Sequence, residues 1–143
     1  MKIAIGNDHA GFSYKEAIKV FLNQKGIEVI DMGAFSEDSV DYPDFAHKVS
    51  EKVALKEADF GILICGTGNG VCITANKRNG IRAGLCWDPE ISKLIRQHND
   101  ANVMCLSARF SSQMTAIACV DAFINTKFEG GRHQRRIDKI TSI

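Results

Sequence analysis

Residues able to move protons or hold anions recur in this chain just past short apolar runs. The run Phe60-Gly61-Ile62-Leu63-Ile64 opens into Cys65-Gly66-Thr67-Gly68-Asn69-Gly70. A glycine-rich turn between a strand and a helix leaves backbone N–H groups free to cradle an anion. A thiol beside them can have its thiolate stabilised and serve as base or nucleophile. The plainer reading is a tight turn that needs glycine for its dihedrals, next to a small buried hydrophobe. Spacing removes three named loops. A dinucleotide fingerprint needs a glycine where Ile73 stands, a Walker loop needs a Gly-Lys pair, and a cysteine phosphatase loop needs an arginine where Val71 stands.

The first apolar run ends in Gly6-Asn7-Asp8-His9-Ala10-Gly11, a carboxylate beside an imidazole. Such a pair suits sugar hydroxyls or phosphate, and Asp8 equally suits a helix N-cap. Arg96-Gln97-His98-Asn99-Asp100 is a dense polar run that needs only be a helix end, or else serves a site. Arg132 and Arg136 stand four apart, on one face if helical, where two guanidinium forks match a phosphate. The other reading is a solvated basic surface. The five cysteines (65, 72, 86, 105 and 119) mostly lie in apolar stretches, as reduced buried thiols do. They form no C-x-x-C pair, and the four histidines show no H-x-x-x-H spacing, so no metal is expected.

These groups need a scaffold. Short runs at 2–5, 28–32, 60–65, 82–87 and 102–106 have the apolar composition of strands buried on both faces. They alternate with segments of helical period, which predicts a parallel sheet covered by helices. Tyr14, Ala17, Ile18, Phe21 and Leu22 mark one helix, and Phe45, Ala46, Val49, Val53 and Ala54 another. Further helices are expected near 70–78, 89–98 and 111–125, with Asp88 capping the second of these, Pro89 at its first position, and Gly26 ending the first helix of the chain. Residues 132–143 read as a short helix or a tail docking on a neighbour. In open parallel sheets ligands bind beyond the carboxyl ends of the strands, where the Cys65 and Asp8 segments would lie.

The 143 residues fit one domain spanning 1–143, and 45% hydrophobic with 24% charged residues is ordinary globular composition. Eighteen basic against seventeen acidic residues leave a net charge of +1, which gives no global case for nucleic acid or an anionic membrane as partner. The opening MKIAIGNDHAGF lacks the apolar core of a signal peptide, and no run reaches the roughly 18 apolar residues of a membrane span, so the expected location is cytoplasmic.

Seven ordered blocks carry a family resemblance: Asp8-His9-Ala10-Gly11, Asp41-Tyr42-Pro43, Ile64-Cys65-Gly66-Thr67-Gly68, Ala75-Asn76-Lys77, Gly80-Ile81-Arg82-Ala83, His98-Asn99-Asp100 and Gly130-Gly131-Arg132-His133. Nearly end to end, the chain resembles the type B ribose-5-phosphate isomerases, within the group that includes galactose-6-phosphate isomerase. The resemblance implies an α/β fold, a Rossmann-like three-layer α/β/α sandwich with a five-stranded parallel sheet. It further implies a homodimer or dimer of dimers with shared active sites, and aldose–ketose interconversion of ribose 5-phosphate and ribulose 5-phosphate through an enediolate, without metal or cofactor. By resemblance Cys65 is the base, and backbone N–H groups of Gly66, Gly68, Asn69 and Gly70 surround the oxyanion. Thr67 and His98 open the sugar ring, Asp8 holds hydroxyls, and Tyr42 and Asn99 line the site. Phosphate falls to His9, Arg109, Arg132 and Arg136, with His98, Asn99 and Arg109 supplied by a partner subunit. Some members replace the cysteine by serine and use a glutamate just past the glycine loop; Cys65 and Val71 place this chain in the cysteine branch. Asn69 stands where many cysteine-type members carry a small or apolar residue. An isomerase of a six-carbon sugar phosphate and a non-catalytic phosphosugar-binding module remain as alternatives.

Overall fold

A computed structural model describes residues 1–140, so the expectation for the tail is met by a helix as far as Ile140, and 141–143 lie outside the described residues. The strands are β1 (Lys2–Asn7), β2 (Glu28–Asp31), β3 (Phe60–Cys65), β4 (Ala83–Leu85) and β5 (Val103–Ser107). All pair in parallel, in the order β2-β1-β3-β5-β4. The helices are α1 (Phe12–Gln24), α2 (Tyr42–Ala54), α3 (Asn69–Ala75), α4 (Pro89–Asn99), α5 (Gln113–Ile124) and α6 (Arg132–Ile140).

Side-chain alternation along the central strands builds the three layers. On one face Ile3, Ile5, Ile62, Ile64, Met104 and Leu106 meet Ile18 and Leu22 of α1 and Val120 and Phe123 of α5. On the other, Ala4, Leu63, Cys65 and Val103 meet Ala46, Val49 and Val53 of α2 and Val71 and Ala75 of α3. Asp88 caps α4 by accepting from the N–H of Glu90 at 2.7 Å, and Gly26 follows α1 in the left-handed region at φ 72°. None of the helices among the described residues is long and apolar enough to cross a membrane.

Two elements are shorter than their patterns imply. The side chain of Asn76 accepts from the N–H of Ala83 and donates to its carbonyl, both at 2.8 Å, which ends α3 and occupies the backbone where β4 begins. The N–H of Arg82 goes to the Asn102 side chain at 2.9 Å instead of a strand neighbour.

The chain passes from β1 to β2 over one face, through α1, and from β2 to β3 over the other, through α2. The carboxyl ends of β1 and β3 therefore flank the point where the winding reverses, the usual ligand crevice of such sheets. Asp8 and Cys65 stand there.

One buried cation braces this edge. Lys15 of α1 is fully buried; its Nζ contacts Asp31 Oδ1 at 2.8 Å and donates to the carbonyl of Ala34. Asp31 also accepts from Lys19 at 2.7 Å and from the Gly33 N–H at 3.0 Å. Burial pushes the Asp31 carboxyl up, but hydrogen bonds from Lys15, Lys19 and Gly33 hold it below its ordinary value. The segment so fixed touches the site, since the Asn7 N–H donates to the Gly33 carbonyl at 2.8 Å. Lys15→Met, which keeps the length of the side chain, should cost about 1–3 kcal/mol in urea denaturation because it strips donors from a carbonyl and a carboxylate. The Asp31 contribution is complete above the pH where an unfolded aspartate ionises, about 4, and is lost as pH falls through the lower folded value. Stability of the wild type should therefore fall more steeply in acid than that of Lys15→Met.

Candidate active site

At the end of β3 the Cys65 sulfur is buried and accepts the Gly68 N–H at 3.1 Å. An N–H aimed at sulfur is a donor for the charge that sulfur carries once its proton has left. The loop reaches this shape because Gly68 is left-handed at φ 78°, and a Cβ there would lie 2.4 Å from Leu85 Cδ1. Gly68 then caps α3, and Thr67 Oγ1 accepts from the Asn69 N–H at 3.2 Å. Thr67 and Asn69 are exposed at the mouth, while Gly66 and Gly68 are buried.

Asp8 follows β1, which pairs with β3, and its N–H donates to the Ile64 carbonyl at 3.1 Å. It does cap a short helical turn, accepting from the Ala10 N–H at 2.9 Å, so the capping reading is correct and leaves its second oxygen for other duty. His9 Nδ1 lies 3.4 Å from the N–H of Val40. Tyr42 opens α2 with its ring against Gly70, where a Cβ would stand 2.6 Å from the ring. Arg109 donates its backbone N–H to the Gly66 carbonyl at 3.0 Å and lays its side chain across Gly66, within 3.3 Å of where a Cβ would be. Asp8, His9, Tyr42, Cys65, Thr67, Gly66, Gly68, Asn69, Gly70 and Arg109 thus share the carboxyl edge of the sheet.

The remaining candidates lie at the opposite edge. α4 runs back against the strand direction, so His98 and Asn99 precede β5 and stand at its amino end. Between them and Arg109 runs the whole of β5, about 16 Å at 3.3 Å per residue. Within one chain Arg109 therefore lies against Gly66, at the edge opposite His98, whereas the resemblance groups the two on a partner subunit. His98, Asn99, His133 and Arg136 line one cavity of about 240 Å³, and Arg132 opens the same helix as Arg136. Arg96 and Asp100 of the polar run are structural. The Arg96 guanidinium holds Asp100 at 2.8 Å and lies 4.8 Å from the Phe60 ring, while Arg82 holds the other Asp100 oxygen at 3.0 Å. Together they set the turn that presents His98 and Asn99.

Two residues of the carboxyl edge escaped the sequence reading. Ser107 pairs with Cys65 in register, is buried, and donates to the Gly66 carbonyl at 2.8 Å. The rule of inspecting every strand end applies to β5 and would have found it. Asn7 is fully buried with its Oδ1 unpartnered beside Asp8, and nothing in an Asn after an apolar run announces this.

The five cysteines are all unpaired. Burial pushes the thiols of Cys86, to about 12, of Cys119 and of Cys105 upward. Cys72 departs from the inert pattern, being half-buried and held below the usual thiol value by a hydrogen bond with Cys105. Among the described residues, the group with metal-ligating geometry is His98, Glu129 and His133, which no spacing in the sequence foretells.

A sequence model of the family described as Ribose/Galactose Isomerase matches residues 3–140. Ribose-5-phosphate isomerase B of Escherichia coli strain K12 is 49% identical over 142 residues, 99% of this chain and 95% of that protein. The crystal structure of a ribose 5-phosphate isomerase from Thermotoga maritima superposes with a TM-score of 0.97 at 53% identity, covering 99% of this chain and 98% of that one. A crystal structure of ribose-5-phosphate isomerase B from Mycoplasma genitalium with bound ribulose-5-phosphate superposes with a TM-score of 0.95 at 49% identity, over 97% and 93% of the two chains.

Proposed function

This chain belongs to the Ribose/Galactose Isomerase family, and from that premise we propose that it interconverts ribose 5-phosphate and ribulose 5-phosphate as an aldose–ketose isomerase. The observation that carries the chemistry is the Cys65 sulfur, 3.1 Å from the Gly68 N–H, at the crevice it shares with Asp8.

Thr67 and His98 assist opening of the furanose, which exposes the aldehyde. The Cys65 thiolate removes the proton from C2, the electron pair forms the C1–C2 double bond, and the carbonyl oxygen on C1 takes the charge of an enediolate. The proton returns to C1 while the proton of the C2 hydroxyl passes to the charged C1 oxygen, leaving a ketone at C2 and a hydroxyl at C1. The Gly68 and Asn69 N–H groups already hold Cys65 and Thr67, so the oxyanion falls to other donors of the loop, such as the first-turn N–H of Gly70. Asp8 holds sugar hydroxyls, with Tyr42 and Asn99 as walls.

His98, Asn99, Arg132 and Arg136 lie at the far edge of their own sheet, so a second copy of the chain must bring them to Cys65. The working unit is a dimer in which each crevice takes Cys65, Asp8, His9 and Arg109 from one subunit and the His98 edge from the other. Phosphate is then gripped from both sides. Losing a charge-assisted contact costs about 1.5–3 kcal/mol, so Arg136→Ala should raise KM for the sugar phosphate by roughly tenfold to a hundredfold. An unchanged KM would remove Arg136 from the phosphate site.

A coupled assay of the purified protein with ribose 5-phosphate, allose 6-phosphate and galactose 6-phosphate tests the whole reading. Ribose 5-phosphate should be turned over most efficiently. Preference for a hexose phosphate would transfer the activity to six-carbon substrates, and turnover of none would leave a binding module.

A further inference from the structure

His98 lies in the last turn of α4 and His133 in the first turn of α6, with their rings stacked, centroids 4.4 Å apart and planes 14° from parallel. Glu129, four residues before His133, brings a carboxylate oxygen to 3.5 Å from His133 Nε2. One ligand atom from each of the three lies within 4.8 Å of the other two. Backbone bonds set the arrangement: the Glu129 N–H donates to the Gln97 carbonyl and the His133 N–H to the Gly130 carbonyl, each at 3.1 Å. His133 is buried, His98 half-buried and Glu129 exposed.

Two imidazole nitrogens and one carboxylate oxygen are the donor set of an open zinc-type site. Tetrahedral zinc with bonds of about 2.0–2.1 Å needs its ligand atoms about 3.4 Å apart. That closure has to come from the two rings turning about χ2 and from the exposed Glu129 side chain swinging in. His98 and His133 border the cavity that Asn99 and Arg136 also line. The Arg136 charge opposes a bare cation there and favours an anion, such as chloride or phosphate, as fourth ligand.

We propose that His98, Glu129 and His133 bind one divalent ion of the zinc type per chain, and that the ion inhibits the isomerase by occupying His98. The inhibition rests on the reading of His98 as a ring-opening group; the binding does not.

The full chain, freed of metal by chelator and gel filtration, is titrated with Co2+ and back-titrated with Zn2+. Wild type should develop the visible bands of four-coordinate Co2+ at one ion per chain, without a thiolate charge-transfer band, and Zn2+ should abolish them. Glu129→Gln, with Glu129→Ala as a second variant, should weaken the ion by at least about tenfold, since removing a ligand costs no less than removing an outer-shell partner. Both variants should turn over ribose 5-phosphate like wild type when metal-free, and their zinc inhibition curves should move to higher concentration by the same factor. Absence of the four-coordinate spectrum, a thiolate band lost in Cys65→Ala, or unchanged zinc affinity in both Glu129 variants overturns the site. Tight binding without loss of turnover overturns the inhibition. Metal-free wild type inactive on ribose 5-phosphate would count against the isomerase reading and leave the metal titration to be judged by its own spectrum.

Discussion

Cys65→Ala should lower kcat for ribose 5-phosphate by about 10²- to 10⁴-fold, the usual contribution of a positioned general base, while KM stays within a few-fold. Cys65 is buried and its sulfur accepts the Gly68 N–H, so its task falls in the transition state and not in grasping the sugar. Binding is spread over groups the change leaves alone: Asp8, His9, Tyr42, Arg109 and the far-edge residues of the second copy. Cys65→Ser, which keeps size and hydrogen bond, should be nearly as impaired, because a hydroxyl at neutral pH is a much poorer base than a thiolate. Near-identical urea transitions of the variants and wild type would show that the fold is intact. Turnover of Cys65→Ala within tenfold of wild type would remove Cys65 as the base.

The scaffold was legible because each central strand is covered on both faces. Residues such as Ile62, Leu63 and Ile64 must all be apolar when alternate side chains enter different cores, and that leaves a continuous run bounded by turn residues. The Asp88 cap and Gly26 turn follow from local chemistry alone. Element ends were less legible where a side chain replaces a backbone partner, as Asn76 does at Ala83 and Asn102 at Arg82. Half of the candidate site was legible for a topological reason, since parallel strands gather their carboxyl ends and so bring Asp8 and Cys65 together.

The partition of the site between the two edges was not legible from spacing. Arg109 is eleven residues from His98 and forty-four from Cys65, yet it lies against Gly66 because β5 carries the chain from one edge of the sheet to the other. Arg136 joins His98 through a tertiary tie, the Glu129 N–H on the Gln97 carbonyl, that leaves no periodic trace. The same tie conceals the His98–Glu129–His133 group. Ser107 was legible by position, since it closes β5 as Cys65 closes β3, but the hold of its hydroxyl on the Gly66 carbonyl was not.

Mixing two inactive variants should restore activity if the site is divided between subunits. In a two-fold dimer with Cys65 from one chain and His98 from the other, a hybrid of one Cys65→Ala and one His98→Ala chain contains one crevice with both defects and one with neither. Each parent should be nearly inactive. Random exchange of equal amounts makes half of the dimers hybrids, with one sound crevice in two, so ribose 5-phosphate turnover should return to about a quarter of the wild-type value per chain. The decisive measurement is the turnover of hybrids isolated by two different affinity tags, at about half of wild type per dimer. Isolated hybrids as inactive as their parents, alongside wild-type dimers exchanged and purified in the same way that keep full activity, would contradict the shared site.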